Sequence, residues 1–206
     1  MNRIEGLYDR HKSPDSFSKG YLAYLSELLP KLDEKSIGAF IEAMLEARER
    51  GSTIFFLGNG GSAATASHFA NDIGVGTRSW AKPFRTLALT DNVAVITALA
   101  NDHGYDEIFV RQLQVLMKPG DLVVAISASG NSPNVVKAVE YSTAHGARTV
   151  GLTGFDGGKL RKIVNISIHM ETAKGEYGPV EDAHMVIDHL VGAYLGQRCL
   201  AEGSSK

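Results

Sequence analysis

The chain alternates short apolar runs with longer segments of helical periodicity. Four runs are continuous and have the length of a strand, at residues 53–57, 86–89, 122–126 and 149–152. A fifth run, at 164–170, alternates apolar and polar residues more regularly. Continuous runs are typical of strands buried on both faces of a parallel sheet, and the alternating run indicates an edge strand.

Helical patterns separate these runs. They cover residues 63–73, 92–100, 108–117 and 134–145, and a longer pattern covers about 181–200. Because strands alternate with helices, we expect βαβ units, which place a parallel sheet between two helical layers. The predicted fold class is therefore α/β, with a doubly wound parallel sheet.

Two amphipathic helices are expected before this alternation begins. Residues 1–10 show no clear pattern and are predicted to form a loose tail. Pro14 marks the start of a one-sided helix that ends near Pro30. A second helix is expected over 33–50, with Gly51 as its C-terminal cap. Together they predict a helical hairpin that must cover another part of the protein.

The length of 206 residues fits one domain. We predict that the single domain covers residues 1–206. Within it, 1–50 form the helical hairpin, and 51–206 form the α/β core and the final helix. No internal repeat interrupts this organisation.

Charge and composition exclude several classes of partner. Lysine and arginine number 21 against 23 aspartate and glutamate, a formal charge of −2 that argues against nucleic-acid binding. No apolar run approaches the roughly 18 residues of a membrane helix. The N-terminus lacks a secretory apolar region, and the lone Cys199 fits a reducing compartment. We therefore expect a cytoplasmic protein without a membrane partner.

The first of two loops with a common design is Gly58-Asn59-Gly60-Gly61-Ser62, which joins a predicted strand to a predicted helix. Glycines allow a tight turn and a close approach of the backbone to a ligand. Ser62 is the predicted N-cap of the helix. The free N–H groups at a helix start favour an anion, and ligands of open α/β sheets bind at the carboxyl ends of the strands.

The second loop, Ser127-Ala128-Ser129-Gly130-Asn131-Ser132-Pro133, also joins a strand to a helix. Ser132 as N-cap with Pro133 at the first helical position is a strong helix-start signal. Three serine hydroxyls around one helix start suit the oxygens of a phosphomonoester. Small polar loops also make good turns, so either loop alone is ambiguous. Neither matches the phosphate-binding motif of nucleoside triphosphatases or the dinucleotide fingerprint.

Five segments, taken in order, resemble the sugar isomerase (SIS) domain family and most of all its phosphoheptose isomerase branch, which acts on sedoheptulose 7-phosphate. They are Gly58 to Ala64 with His68, Asn101 to Tyr105, the serine loop, Leu152 to Gly158, and Glu181 to His184 with His189. The resemblance implies a five-stranded, flavodoxin-like parallel sheet. It also implies a homotetramer whose sites lie between subunits.

The resemblance assigns the substrate contacts residue by residue. The expected substrate-binding positions are Asn59, Gly60, Gly61, Ser62, Asn101, Asp102, Ser127, Ala128, Ser129, Ser132 and Glu181. Four of these, in the serine loop, match the phosphate-binding segment of the family. The implied partner is a phosphorylated sugar.

Two helices carry a candidate acid–base and metal cluster. His68 and Asp72 are four residues apart and share a helix face, and Glu181 and His189 are about two turns apart on the final helix. Imidazole and carboxylate groups from two helices can hold zinc with an open position for substrate. The resemblance implies these four residues as zinc ligands, with acid–base roles for Asp72 and His189.

The sequence departs from the family at two of these positions. Asp72 stands where the family has glutamate, which shortens the side chain by one methylene. Glu181 stands where the family has glutamine, which adds a negative charge and strengthens the attraction for a dication. Because a small displacement of a catalytic base can lower a rate strongly, the first departure bears most on catalysis.

The expected chemistry is ketose–aldose isomerisation through an enediol, with Asp72 as the base at carbon and His189 as the partner at oxygen, or the reverse. Two alternatives stay open. The first is an isomerase of another ketose phosphate, which would use a similar phosphate loop. The second is a non-catalytic SIS protein that resembles the replication-initiator-associating protein of bacteria.

Overall fold

A five-stranded parallel sheet forms the centre of the protein, in a computed structural model that describes residues 2–203. Its strands are β1 Thr53–Gly58, β2 Arg85–Ala88, β3 Leu122–Ser127, β4 Arg148–Phe155 and β5 Ile166–Glu171. They lie in the order β2-β1-β3-β4-β5, and all neighbours pair in parallel. The predicted α/β fold is confirmed, and β5 is an edge strand as the alternation of its sequence predicts.

Helices connect the strands and cover both faces of the sheet. They are α1 Arg3–Arg10, α2 Pro14–Leu28, α3 Glu34–Arg50, α4 Gly61–Asn71, α5 Val93–His103, α6 Val110–Leu116, α7 Pro133–Ala144, α8 Leu160–Ile163 and α9 Tyr177–Gly203. A π-helical segment, Asp72–Gly76, follows α4 directly. Within residues 2–203, none of the helices combines the length and the apolar character that crossing a bilayer requires.

Alternate residues of β1 face the two helical layers. Ile54 and Phe56 pack in one core cluster with residues of α3, α4 and α9. Phe55 and Leu57 pack in the other cluster with residues of α6, α7 and α8. All four side chains are buried. This period of two explains why the run reads as continuously apolar, since each face of the strand meets its own core.

The N-terminal segment differs from the prediction at one point: the expected loose tail is helix α1. A capping box begins this helix, because Asn2 Oδ1 accepts the Glu5 N–H at 2.9 Å and the Glu5 carboxylate accepts the Asn2 N–H at 3.2 Å. The buried Glu176 accepts hydrogen bonds from the Arg3 N–H and, at 2.5 Å, from the Tyr24 hydroxyl. These bonds tie α1 and α2 to the start of α9.

Candidate functional site

The glycine loop and the serine loop meet at the carboxyl ends of β1 and β3. These strands are neighbours, with Gly58 in register with Ile126. The chain leaves β1 toward β2 on one side and returns to β3 on the other, so the two loops flank the switch point at which open α/β sheets bind ligands. A cavity of about 140 Å³ opens there, lined by Asn59, Ser62, Ile126, Ser127, Ala128, Ser129, Ser132, Tyr177 and Glu181.

The glycine loop turns into α4 two residues earlier than the sequence predicts. Gly60, not Ser62, is the N-cap, and its φ of +54° is a conformation that favours glycine. Ser62 therefore lies inside the first helical turn, where it is buried and lines the cavity. Because the first N–H groups of a helix have no intrahelical acceptor, the start of α4 presents donors to this space.

Asn59 is held in place by two residues to which the sequence analysis assigned no role. Its amide exchanges hydrogen bonds with the amide of Asn134, at 2.9 and 3.0 Å. The Tyr105 hydroxyl donates to Asn59 Oδ1 at 2.9 Å. Asn134 is buried in the first turn of α7, next to the apolar Val135. An asparagine beside the apolar positions of that helix was the only sequence signal that could have identified it. Tyr105 carries no such signal, because its ring is exposed.

The serine loop presents hydroxyl groups whose protons are available to an anion. Ser132 is the N-cap of α7 with Pro133 next, as predicted, yet its hydroxyl makes no capping bond and lies 3.4 Å from the Ser127 hydroxyl. Ser127 Oγ accepts the Gly130 N–H at 3.2 Å, and Ser129 Oγ accepts the Asn131 N–H at 3.3 Å. A hydroxyl that accepts from the backbone keeps its own O–H to donate.

The segment after β4 fixes the shape of the serine loop. The Gly130 carbonyl accepts the Leu160 N–H at 2.9 Å, and Asn131 Oδ1 accepts the Lys159 N–H at 3.0 Å. Gly130 has a φ of +63°, and a Cβ there would overlap the carbonyl of Gly157. The loop is therefore preorganised before any ligand binds.

Glu181 lies in this cavity and not in the imidazole cluster. Its carboxylate occupies the space beside Gly61, where a Cβ would overlap it. Burial, and to a smaller degree the nearby Asp182 carboxylate, raises the pKa of Glu181. Asn101 and Asp102 lie in the last turn of α5, where both are exposed and Asn101 Nδ2 donates to Asp102 Oδ1 at 2.8 Å. Neither of them lines the cavity.

Three of the four residues predicted for the imidazole–carboxylate cluster, His68, Asp72 and His189, come together between α4 and α9, and Glu181 does not. His68 Nε2 lies 3.3 Å from His189 Nε2 and 3.4 Å from Asp72 Oδ2. Asp188, which the sequence analysis did not identify, brings its Oδ2 within 3.7 Å of His68 Nε2. One nitrogen or oxygen from each of these four residues lies within 4.8 Å of the others. We call these residues the four-residue cluster.

Asp188 is the buried member of this cluster. Its side chain is fully buried, and neither carboxylate oxygen accepts a hydrogen bond from residues 2–203. Burial, reinforced by the Asp72 carboxylate, raises the pKa of Asp188 to about 7. A buried carboxylate with no hydrogen-bond donor indicates a missing cationic partner.

The donor types of the cluster fit a zinc ion. Imidazole nitrogens and carboxylate oxygens are ligands that zinc takes, and one such atom from each of the four residues lies within 4.8 Å of the others. The orphaned oxygens of Asp188 supply the negative charge that a dication would neutralise. Asp72 also begins the π-helical segment, a distortion that is frequent at functional sites.

Helices α4 and α9 run parallel along this site. Gly61 lies beside Glu181, His68 beside His189, and Asp72 beside Gly192. The cavity therefore lies near the N-terminal ends of α4 and α9, and the four-residue cluster lies about two turns further along the same two helices. At 1.5 Å per residue, the seven residues from Gly61 to His68 correspond to a separation of about 10 Å.

Comparisons with known proteins identify relatives of this chain and of its fold. The SIS domain family model matches residues 17–154. A phosphoheptose isomerase of Geotalea daltonii is 37% identical over 175 residues, which cover 84% of this chain and 88% of the relative. A phosphoheptose isomerase of Geotalea uraniireducens is 37% identical, and the matched region covers 96% of this chain and 98% of the relative. The structure of the Neisseria gonorrhoeae phosphoheptose isomerase superposes with a TM-score of 0.80 at 27% identity. The superposition covers 90% of this chain and 100% of that chain.

Replacing the buried carboxyl should stabilise the metal-free protein in a pH-dependent way. The raised pKa of Asp188 means that the folded protein holds this proton up to about pH 7, while the unfolded chain releases it near its ordinary value of 3.8. The stabilising contribution is therefore lost as the pH rises through 7. In chelator-treated protein, Asp188→Asn should raise the free energy of unfolding at pH 8 by about 1–3 kcal/mol and by much less at pH 5.

Thermal and denaturant unfolding at the two pH values measure this difference. The exposed Asp106→Asn is the matched control, and it should change stability equally at both. A destabilising effect of Asp188→Asn at pH 8 would contradict the assignment.

Proposed function

Because this chain belongs to the phosphoheptose isomerase family of SIS-domain proteins, we propose that it interconverts sedoheptulose 7-phosphate and D-glycero-D-manno-heptose 7-phosphate. One observation carries the proposal. A donor-lined cavity at the switch point of the sheet and an imidazole–carboxylate cluster lie about 10 Å apart along one pair of helices. A sugar with a phosphate at one end and a reacting carbonyl at the other needs two such sites.

The phosphate end binds in the cavity between the two loops. Hydroxyls of Ser127, Ser129 and Ser132 donate to the phosphoryl oxygens, and the start of α4 adds backbone N–H groups. Gly60 and Gly61 keep that approach open. Binding energy gained at this remote end orients the reacting carbons at the other end.

The reacting end lies at Asp72 and His189. One of the two removes the proton from the carbon beside the carbonyl and returns it to the neighbouring carbon, and the other moves the proton between the two oxygens. We assign the carbon-bound proton to Asp72 and the oxygen-bound proton to His189. The 3.4 Å contact between His68 Nε2 and Asp72 Oδ2 holds the base in place.

The proposed resident metal is zinc, with His68, Asp72 and His189 as ligands. The family implies position 181 as the fourth ligand, but the Glu181 carboxylate lies in the cavity beside Gly61. When bound, the zinc ion supplies Lewis-acid stabilisation of the negative charge that develops on the substrate oxygens. Asp72 and His189 would then combine ligand and acid–base roles.

The proposed assembly is a homotetramer that works in the cytoplasm. Large apolar side chains, Leu87, Val93, Val115 and Leu116, are exposed around an open cavity of about 1000 Å³. Apolar surface of this kind is typical of protein interfaces. We propose that a second copy of this chain covers it. Sites between subunits would also bring Asn101 and Asp102 of one copy toward the substrate of another.

Removing either acid–base residue should abolish turnover without unfolding the protein. We expect Asp72→Asn and His189→Ala each to lower kcat for sedoheptulose 7-phosphate by about 10²–10⁴-fold, the usual contribution of a general acid or base. A coupled assay with a panel of C5 to C7 ketose phosphates measures this, with circular dichroism as the folding control. Full turnover in both variants would contradict the roles. A wild-type protein inactive on the whole panel would favour the non-catalytic alternative.

Removing the phosphate-loop hydroxyls should weaken binding more than chemistry. Each hydrogen bond to a charged group contributes about 1.5–3 kcal/mol, so Ser129→Ala and Ser132→Ala should each raise KM about tenfold or more. Steady-state kinetics separate the KM effect from kcat. Ser26→Ala, on the surface of α2, is the matched control. Unchanged KM in both loop variants would contradict the phosphate site.

A charge in the exposed apolar surface should disrupt the assembly. Val115, which is 83% exposed, would be buried against a second copy, so Val115→Asp should reduce the particle mass below four times the 22.1 kDa chain. Light scattering after gel filtration measures this. Thr143→Asp on the exposed surface of α7 should leave the mass unchanged. A Val115→Asp tetramer of unchanged stability would contradict the proposed interface.

A further inference from the structure

We propose that Asp188, in place of Glu181, is the fourth ligand of the metal site in this protein. The inference rests on the zinc site proposed above and changes its composition. The ligand set becomes the four-residue cluster, His68, Asp72, Asp188 and His189, and Glu181 belongs to the substrate cavity.

The first argument is the spacing of the donor atoms in the four-residue cluster. A tetrahedral zinc ion with ligands at about 2.0–2.2 Å needs donor atoms about 3.3–3.6 Å apart. Measured from His68 Nε2, the distances are 3.3 Å to His189 Nε2, 3.4 Å to Asp72 Oδ2 and 3.7 Å to Asp188 Oδ2. These three distances are close to the spacing that the ion requires, and the other pairs of donor atoms lie within 4.8 Å of each other.

The second argument is the burial of the Asp188 side chain and its lack of hydrogen-bond partners. It is fully buried, and neither of its oxygens accepts a hydrogen bond from the part of the chain that the structure describes. A buried carboxylate in that state destabilises the fold unless a cation compensates it. The imidazole of His68 at 3.7 Å is too distant to donate a hydrogen bond. A dication between these groups would satisfy the carboxylate.

The third argument is the position of Glu181 in the cavity, away from the four-residue cluster. Its carboxylate lies beside Gly61, at the start of α4, and lines the cavity with Ser62 and the serine loop. His68 lies about two turns further along α4, and Asp72 lies about three turns on, at the start of the π-helical segment. Among residues 2–203, the metal-ligating group around His68 includes Asp188 and not Glu181. Glu181 is therefore placed to contact the substrate, not to complete the cluster.

The charge of the cluster supports the same ligand set. Two carboxylates and two neutral imidazoles carry a charge of −2, which balances a divalent ion. Zinc bound in this way would also be partly shielded from water, because the Asp188 side chain is fully buried.

The test measures metal binding to the full-length protein after chelator treatment. Asp188→Asn should lower the affinity for Zn²⁺ by more than about 100-fold, beyond the 10–100-fold typical of a residue that only orients a ligand. Glu181→Ala, which removes every ligand atom at the position where the family has glutamine, should keep the affinity within a few-fold of wild type. Circular dichroism confirms that both variants fold.

A second variant pair tests coordination directly. Asp188→Cys loaded with Co²⁺ should show the near-ultraviolet charge-transfer band of a cobalt–thiolate bond, because thiolate is itself a zinc-type ligand. Glu181→Cys, the matched control, should not show it, and both are made with Cys199→Ser so that the new thiol stands alone.

Three results would overturn the inference: wild-type affinity in Asp188→Asn, the band in Glu181→Cys alone, or no metal binding by the wild-type protein. In the last case the zinc site fails as well. An assay of isomerase turnover on the same sample then tests the proposed function separately from the zinc site.

Discussion

The parallel packing of α4 against α9 sets the distances on which the site depends. Their contacts align Gly61 with Glu181 and His68 with His189, so one pair of helices fixes both ends of the site. Phe69 and Ile187, which belong to one buried core cluster, hold the two helices against the sheet. Because the core beneath them is closely packed, the cavity and the four-residue cluster keep one spacing.

This arrangement separates two tasks that isomerisation of a sugar phosphate requires. In the proposed function, strand ends and glycine turns supply the anion site, which needs short side chains and backbone donors. The acid–base groups lie further along the helices, where longer side chains converge from two elements. The departures at Asp72 and Glu181 fall in different parts of this arrangement. The shorter carboxylate belongs to the cluster, and the added negative charge lies in the cavity.

Much of the fold and part of the site follow from local sequence patterns. Apolar runs at strand length predicted the sheet and its edge strand, and Ser132 with Pro133 predicted the start of α7. The four-residue spacing of His68 and Asp72 predicted that their side chains meet. These successes share one cause, since each depends on residues that are near each other in the chain.

What the sequence left hidden depends on contacts between distant segments. Asn134 and Tyr105 orient Asn59 across the sheet edge, and no local spacing reveals that meeting. Asp188 was missed for a different reason. Two helical turns are about 7.2 residues, so residue 188, seven positions after Glu181, lies closer to the helix face of Glu181 than residue 189 does. The sequence analysis followed the histidine at 189 and did not consider the carboxylate beside it, whose burial the structure shows.

The most direct test of this account is a crystal structure of the Asp72→Asn protein with sedoheptulose 7-phosphate. The account predicts the phosphoryl group among the hydroxyls of Ser127, Ser129 and Ser132, with the carbonyl end of the sugar beside residue 72 and His189. A phosphoryl group bound elsewhere, or a sugar chain directed away from His68 and His189, would contradict it.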